Sequence, residues 1–63
     1  MTLGDKIRKY RTLKGLTQAQ LGSMVKLTGD RIRQYENDVR KIPLPILIKL
    51  SRFYHVNLEY LLG

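Results

Sequence analysis

Cysteine is absent from this chain, and acidic residues are few. Without cysteine, neither a disulfide nor a thiolate-bound metal can hold the fold together. A chain of 63 residues forms at most one domain and buries only about 60% of its unfolded surface. Its stability therefore depends on the packing of apolar side chains, and the apolar share of 43% is sufficient for one small core.

Long hydrophobic runs are missing as well. No run of about 18 apolar residues occurs, so the sequence predicts no membrane-spanning helix. The N-terminus lacks the apolar core of a signal peptide, and strand-like alternation of apolar and polar residues does not appear. These absences, together with the lack of cysteine, predict an all-α domain with no membrane partner and a cytoplasmic location.

The scarcity of acidic residues leaves 12 lysines and arginines against 5 aspartates and glutamates, a formal net charge of +7 and a sequence pI near 10.2. A small basic domain of this kind has the electrostatic signature of a nucleic-acid-binding protein. A membrane-surface peptide would instead need one helix with a wide apolar face. An inert cationic surface would fit the charge equally well, so the motifs have to decide between these interpretations.

Capping motifs predict where the helices begin. Thr2 is followed after three residues by Asp5, and Thr17 by Gln20, which is the pattern of a capping box. Thr28 precedes a third segment with helical apolar spacing. The predicted helices cover residues 3–14, 18–25, 29–36, 45–54 and 58–62.

The apolar positions inside these segments predict the core. They recur three and four residues apart, so they share one face of each helix. Gly22 interrupts the second helix, where glycine costs about 0.5–1 kcal/mol relative to alanine, and this indicates close approach by a neighbouring backbone. The predicted core consists of Leu3, Ile7, Tyr10, Leu16, Leu21, Val25, Leu27, Ile32, Tyr35, Leu47, Leu50, Tyr54, Val56, Leu58 and Leu61.

The second and third predicted helices are short, and a tight turn at residues 24–27 joins them, which predicts a helix-turn-helix. Further short motifs lie before, within and after this pair. The motifs are Ile7-Arg8 and Tyr10-Arg11, Lys14 to Gln18 with Leu21, Ile32 with Tyr35-Glu36-Asn37, Leu47 with Leu50, and Val56 to Gly63. In their order and spacing, essentially the whole chain resembles the Cro/repressor-type helix-turn-helix family, also called the XRE family.

The resemblance implies a compact five-helix, lambda-repressor-like domain that spans residues 1–63 and lays its third helix in the major groove of double-stranded DNA. It also implies an enclosed ion pair between Arg11 and Glu36, although each could instead be a solvated surface charge. Lys26 and Asp38 depart from the pattern, because the family often has glycine at both positions. A positive φ at another residue costs about 1–2 kcal/mol, so the turn at Lys26 is either strained or differently shaped.

The exposed start of the third helix holds the candidate base-reading residues. Gln34 suits adenine, and Arg31 or Arg33 suits guanine. Phosphate contacts are equally expected of the two arginines. Asp30 could accept a hydrogen bond from cytosine, but we favour the role of orienting the neighbouring arginines. Gly29 has no side chain and permits only close approach or apolar contact. The full candidate set is Gly29, Asp30, Arg31, Arg33 and Gln34.

Phosphate contacts are expected on both sides of this helix. The resemblance implies that Thr17 and Gln18, with the free amides at the start of the second helix, hold a phosphate. The alternative is that Gln18 is an ordinary helix residue. Arg40 and Lys41 follow the third helix and are expected to reach phosphates, unless they are solvated loop charges.

No pattern of catalytic or metal-ligating residues appears. His55 is the only histidine; it is expected to cap a helix end or lie on the surface, and no cluster has metal-ligand spacing. A nucleophile with a nearby base and a glycine-rich phosphate loop are both missing, so we expect no cofactor, no small-molecule site and no enzyme activity. Lys6, Lys9 and Lys14 are expected to face water.

The fourth helix has more apolar residues than one buried face requires. Ile46 and Phe53 there, and Tyr60 in the fifth helix, are candidate contacts to a second subunit, although some could be ordinary exposed hydrophobics. Together with the resemblance, the pattern predicts a bacterial or phage-type transcriptional regulator, a repressor that binds a two-fold-symmetric operator as a homodimer. The alternatives are a protein-binding module on the same fold, such as an antitoxin or inhibitor subunit, and a nucleic-acid-binding domain without sequence preference.

Overall fold

A computed structural model describes all 63 residues, which form five helices and no strand. None of the helices has the length and apolar character needed to span a membrane. Their boundaries agree with the predicted ones to within one residue. They are α1 (Leu3–Leu13), α2 (Gln18–Met24), α3 (Gly29–Glu36), α4 (Leu44–Tyr54) and α5 (Leu58–Leu62).

Side-chain caps start the first three helices where the sequence predicts them. The Thr2 hydroxyl accepts a hydrogen bond from the amide of Asp5 at 3.1 Å, and Asp5 Oδ2 accepts one from the amide of Thr2 at 3.1 Å. This backbone hydrogen bond holds the pKa of Asp5 below its ordinary value. Thr17 and Gln20 make the same reciprocal pair at 3.1 and 2.8 Å, and the Thr28 hydroxyl accepts from an amide in the first turn of α3.

The core is assembled from α1, α2, α3 and α4 and is closed by α5. A domain this small has few positions far from its surface, so some of the predicted core residues are only partly buried. The buried members are Ile7, Leu21, Val25, Ile32, Tyr35, Leu47, Leu50, Tyr54 and Leu61. The members that are only partly buried are Leu3, Tyr10, Leu16, Leu27, Val56 and Leu58.

The turn between α2 and α3 explains the glycine inside α2. A Cβ atom on Gly22 would lie 2.7 Å from the carbonyl oxygen of Leu27 and 2.8 Å from the carbonyl carbon of Thr28. The amide of Leu27 donates to the carbonyl of Gly22 at 2.7 Å, which closes the turn against α2. Lys26 adopts a φ of 61°, so of the two alternatives for this turn the strained one is correct.

Two further residues other than glycine adopt the left-handed conformation. Asp38 and His55 both have a φ of 57°. His55 is the C-terminal cap of α4, which confirms its predicted place at a helix end. Asp38 lies in the loop between α3 and α4, where its carboxylate makes the contacts described below.

The prediction that Lys6 faces water is wrong. Its side chain crosses from α1 to α5, where Nζ donates to the carbonyl oxygen of Tyr60 at 2.7 Å and lies 4.8 Å from the centre of the Tyr60 ring. Lys6 is only 9% exposed as a result. The lysine can be buried because its charge meets a carbonyl and an aromatic face. Lys9 and Lys14 are exposed as expected.

Candidate nucleic-acid interface

One carboxylate, that of Asp30, organises the exposed face of α3. Asp30 Oδ1 accepts hydrogen bonds from Nε and Nη2 of Arg33 at 3.0 and 2.8 Å. Asp30 Oδ2 accepts one from Nε2 of Gln34 at 2.9 Å. The hydrogen bonds and charge of Arg33 hold the pKa of Asp30 below its ordinary value. In the free protein, Asp30 thus orients Arg33 and Gln34, whereas Arg31 takes no part in the network.

The donors and acceptors left over on this face suit base edges. The Gln34 amide keeps one N–H and its carbonyl oxygen, which are the groups needed to pair with N7 and N6 of adenine. The Arg33 guanidinium has five N–H groups, of which Asp30 engages two. The remaining donors are sufficient for a guanine edge or a phosphate.

Gly29 has a structural reason to be glycine in addition to the predicted one. A Cβ atom on Gly29 would lie 2.9 Å from the Cα atom of Ala19 and 3.0 Å from its backbone nitrogen. The first turn of α3 therefore packs directly on the backbone of α2. The close contact fixes the angle at which α3 leaves α2, and an approach of Gly29 to a base remains a prediction.

A buried carboxylate at the end of α3 joins three helices. Glu36 Oε2 accepts from Nε of Arg11 at 2.6 Å, and Oε1 accepts from Nη2 of Arg11 at 3.2 Å. The side chain of Glu36 is fully buried and that of Arg11 is 13% exposed. The guanidinium also donates from Nη1 to the carbonyl of Leu16 at 2.8 Å. The predicted enclosed ion pair is therefore confirmed as a bidentate contact, and the alternative of two solvated charges is wrong.

The same carboxylate has two further partners that the sequence did not predict. Nε2 of Gln18 donates to Glu36 Oε1 at 3.0 Å, which ties the start of α2 to the end of α3. Nε of Arg8 lies 3.5 Å from the same oxygen, and its Nη2 donates to Oδ1 of Asn37 at 2.7 Å. The position of Arg8 three residues before Arg11 was the available signal, since such residues share a helix face.

Gln18 and Thr17 are already engaged within the protein. One N–H of the Gln18 amide points to Glu36, and the second stays available for a phosphate. The Thr17 hydroxyl caps α2 by accepting from the amide of Gln20. The phosphate contacts predicted for both residues therefore remain predictions, and Gln18 has in addition a structural role.

The loop from residue 37 to residue 43 carries two basic side chains. Arg40 and Lys41 are both exposed, and neither makes an ion pair or a side-chain hydrogen bond within the protein. The adjacent Asp38 is bound to α1: Oδ2 accepts from the Thr2 hydroxyl at 2.6 Å, and Oδ1 accepts from the amide of Gly4 at 3.1 Å. No local pattern could have shown this contact, because its partners lie more than thirty residues apart in the chain.

The candidate contacts to a second subunit are less exposed than the sequence indicated. Ile46 and Phe53 are half-buried and pack against the core. Tyr60 is 42% exposed, and its ring meets that of Tyr10 edge-on with the centroids 6.2 Å apart. More strongly exposed apolar side chains lie elsewhere, and two of them line an apolar groove of about 450 Å³. These two are Val39 and Leu62.

Two short helices joined by a tight turn, the second with an exposed polar face, define this protein as a helix-turn-helix domain. The sequence model of the family described as "Helix-turn-helix" matches residues 7–61, which is most of the chain. The chain belongs to this family, and its relatives and structural neighbours place it in the Cro/repressor-type branch.

Regulators from two bacteria are among the relatives of known sequence. The chain is 33% identical over 63 residues, 100% of its length, to the HTH-type transcriptional regulator ImmR of Bacillus subtilis, and it spans 50% of that protein. It is 33% identical over 57 residues, 90% of its length, to the HTH-type transcriptional regulator PrpR of Mycobacterium tuberculosis, of which it spans 12%. The chain thus spans half or less of the length of these relatives.

Solved structures confirm the five-helix, lambda-repressor-like fold. The P22 c2 repressor, solved in complex with a synthetic operator, superposes with a TM-score of 0.90 at 30% identity over 97% of this chain and 92% of the repressor chain. The restriction-modification controller protein C.AhdI from Aeromonas hydrophila superposes with a TM-score of 0.83 at 27% identity over 94% and 86% of the two chains.

Proposed function

We propose that residues 1–63 form a single DNA-binding domain that recognises a specific sequence in the major groove and represses transcription. The observation that carries the proposal is the Asp30 network, which holds Arg33 and Gln34 on the exposed face of the second helix of a helix-turn-helix. Support comes from the superposition on the P22 c2 repressor, whose solved structure contains a synthetic operator. The net charge of +7 supplies the general attraction to phosphates.

Each group of side chains has its own task in this proposal. Gln34 pairs with adenine, and Arg31 or Arg33 pairs with guanine, while Gly29 lets the backbone of α3 come close. Asp30 positions Arg33 and Gln34. The contacts that fix the orientation on the duplex go to phosphates, and they are made by Thr17, Gln18, Arg40 and Lys41.

Two copies acting together are needed for useful specificity. One recognition helix reads only a few base pairs, and a genome offers a very large number of competing sites. We therefore propose that two protomers bind an operator with two-fold symmetry, with half-sites about 34 Å apart, one turn of DNA. In this assembly α4 and α5 supply the contact between protomers through Ile46, Phe53 and Tyr60.

Selection of bound sites from random duplex DNA, followed by titration of the selected and a scrambled duplex, tests the proposal. We expect an inverted-repeat consensus and a ratio of specific to non-specific affinity of about 10³ or more. Salt-dependent binding without a consensus would mean that the domain binds nucleic acid non-specifically. Failure to bind any duplex would favour the protein-binding alternative, an antitoxin or inhibitor subunit on the same fold.

A further inference from the structure

The basic loop of residues 37–43 is weakly held by its own backbone. The amides of Asp38 and Val39 donate to carbonyls of α3 at 3.2 and 3.1 Å. The amides of residues 40–42 have no hydrogen-bond partner within the protein. Arg40 and Lys41 therefore follow a segment whose position depends on side-chain contacts with other elements. Those contacts are the Arg8–Asn37 hydrogen bond, the two hydrogen bonds of the Asp38 carboxylate, and the half-buried side chain of Ile42, which packs against the core after Lys41.

The carboxylate of Asp38 binds the loop to the first turn of α1. Both oxygens are used: Oδ2 accepts from the Thr2 hydroxyl at 2.6 Å and Oδ1 accepts from the amide of Gly4 at 3.1 Å. The Thr2 hydroxyl also accepts from the amide of Asp5, so the cap of α1 and the loop share one atom. The free amides of a helix start suit a negative charge, which makes this contact favourable.

Around this contact the backbone of α1 packs directly on the backbone at the end of α3. A Cβ atom on Gly4 would clash with the carbonyl oxygen of Glu36 and lie 2.6 Å from that of Tyr35. Asp38 itself adopts a φ of 57°, a conformation in which glycine is more comfortable. The two hydrogen bonds to α1 offset the cost of this conformation at Asp38.

From this geometry we propose that Asp38 is a positioning residue for DNA binding: it docks the basic loop on α1 and thereby holds Arg40 and Lys41 where phosphates can be reached. The inference rests on the proposed function. The positioning role predicts the direction in which DNA affinity changes when the Asp38 carboxylate is removed. A carboxylate near DNA repels phosphates, so its removal would strengthen binding if charge were its only effect. A positioning role makes the same removal weaken binding.

Asp38→Gly is the main test, because glycine accepts the backbone conformation and removes both hydrogen bonds. We expect affinity for the selected operator and for scrambled DNA to fall together, roughly tenfold at 0.1 M salt, and the salt slope to decrease by about 0.9 for each phosphate that the loop no longer reaches. Asp38→Asn retains one acceptor for the Gly4 amide and should give a smaller loss. Glu59→Gln is the matched control: it removes an exposed carboxylate on α5 that makes no ion pair or side-chain hydrogen bond, and it should not weaken binding.

A double-mutant cycle separates positioning from a general loss of structure. In the Asp38→Gly background, Lys41→Ala should cause little further loss, because Lys41 is no longer held in place. Gln34→Ala should retain its full effect there, since α3 is unaffected. Thermal unfolding of each variant sets an assay temperature at which it is folded, and Asp38→Asn replaces Asp38→Gly in the cycle if the glycine variant does not fold.

Two results contradict the inference in different ways. If folded Asp38 variants bind DNA as tightly as the unchanged protein or more tightly, the positioning role is wrong and the proposed function stands. If the unchanged protein shows no salt-dependent binding to any duplex, the proposed function fails and the inference fails with it.

Discussion

At the scale of single residues, Glu36 is the clearest case of a charge whose surroundings define its role. Its carboxylate is fully buried, and it is satisfied by the guanidinium of Arg11 and the amide of Gln18. A buried ion pair adds little net stability compared with apolar packing, but loss of one partner leaves the other charge without compensation. The pair therefore specifies how α1, α2 and α3 meet more than it strengthens the fold.

We expect Glu36→Ala to destabilise the protein by about 3–5 kcal/mol, because Arg11 and Gln18 both lose their acceptor. Glu36→Gln should be milder, since its amide oxygen still accepts one hydrogen bond. Urea unfolding of the two variants measures the difference. Unchanged unfolding midpoints in both would show that the pair has no role in holding the helices together.

Tyr54 provides a prediction about pH. Its buried hydroxyl donates to the carbonyl of Ile7 at 3.0 Å, and burial together with the charge of Glu36 raises its pKa above the ordinary value of 10.0. Above about pH 10 the folded state keeps the Tyr54 proton, whereas the unfolded chain releases it. The free energy of unfolding is therefore unaffected by this group below about pH 10, and above it this free energy falls by about 1.4 kcal/mol per pH unit.

Tyr54→Phe should cost about 0.5–1.5 kcal/mol at pH 7, where it removes one hydrogen bond. Above pH 10 its stability should decline less steeply than that of the unchanged protein, because one titrating group is missing. Urea unfolding at a series of pH values from 7 to 11 measures both effects. Parallel curves for the two proteins would contradict the role assigned to the phenol.

Gln34 and Lys41 are expected to differ in what they contribute to DNA binding. Gln34 lies on the exposed face of α3, so Gln34→Ala should cost about 1–3 kcal/mol on the operator and relax preference at one base pair. Lys41 lies in the flanking loop, so Lys41→Ala should weaken binding to all sequences and lower the salt slope by about 1. An equal loss on operator and scrambled DNA for Gln34→Ala would argue against base reading.

At the scale of helices, the contact between α2 and α3 depends on small residues. Gly22 lets the turn close on α2, and Gly29 lets α3 pack on Ala19. Glycine within α2 and a left-handed lysine at position 26 are each unfavourable on their own. Together they allow the close packing that fixes the angle between the two helices.

Gly22→Ala should destabilise the domain although alanine is the better helix former, because its Cβ would meet the backbone of Leu27 and Thr28 at less than 3 Å. A loss of about 1–3 kcal/mol is expected, as for other overpacked sites. Ser23→Ala is the control: this neighbour in α2 is exposed, so alanine there should be neutral or slightly stabilising. A Gly22→Ala protein as stable as Ser23→Ala would contradict the close approach.

At the scale of the whole molecule, size limits how two copies can share an operator. The domain measures 25 × 23 × 21 Å, which is less than the half-site spacing of about 34 Å. Any contact between two copies on adjacent half-sites is therefore confined to a small area at their edges. Because each carries a charge of +7, they repel until phosphates neutralise them, so we expect a monomer or loose dimer in solution and cooperative binding on DNA.

Tyr60→Ser should reduce this cooperativity and leave affinity for a single half-site nearly unchanged. Tyr60 is the better choice for the test because it is 42% exposed, whereas Phe53 is half-buried against the core. Because the Tyr60 ring also covers Lys6, thermal unfolding first sets an assay temperature at which Tyr60→Ser is folded. Leu13→Ser, at an exposed apolar position at the end of α1, is the control. Stoichiometry by analytical ultracentrifugation with one-site and two-site duplexes measures the effect; one protomer per full-affinity site would contradict the dimer.

The sequence alone determined the features that depend on neighbours in the chain. Capping boxes at Thr2 and Thr17 act over three residues, and apolar spacing repeats over one or two turns, so helix boundaries could be predicted to within one residue. The Arg11–Glu36 pair was also predicted, but only through resemblance to a family. The exposed polar face of α3 followed from the same local reasoning, since its members lie within a short stretch of one helix.

Tertiary structure alone decided the contacts between distant elements. Asp38 stands where the family often has glycine, and only the packing of α1 against the end of α3 showed its two hydrogen bonds to Thr2 and Gly4. Lys6 was predicted to face water, but its side chain is covered by α5. Gln18 was predicted to contact a phosphate, and its amide also donates to Glu36. In each case the partner is distant in the chain, so its proximity depends on how whole helices pack, which no local pattern encodes.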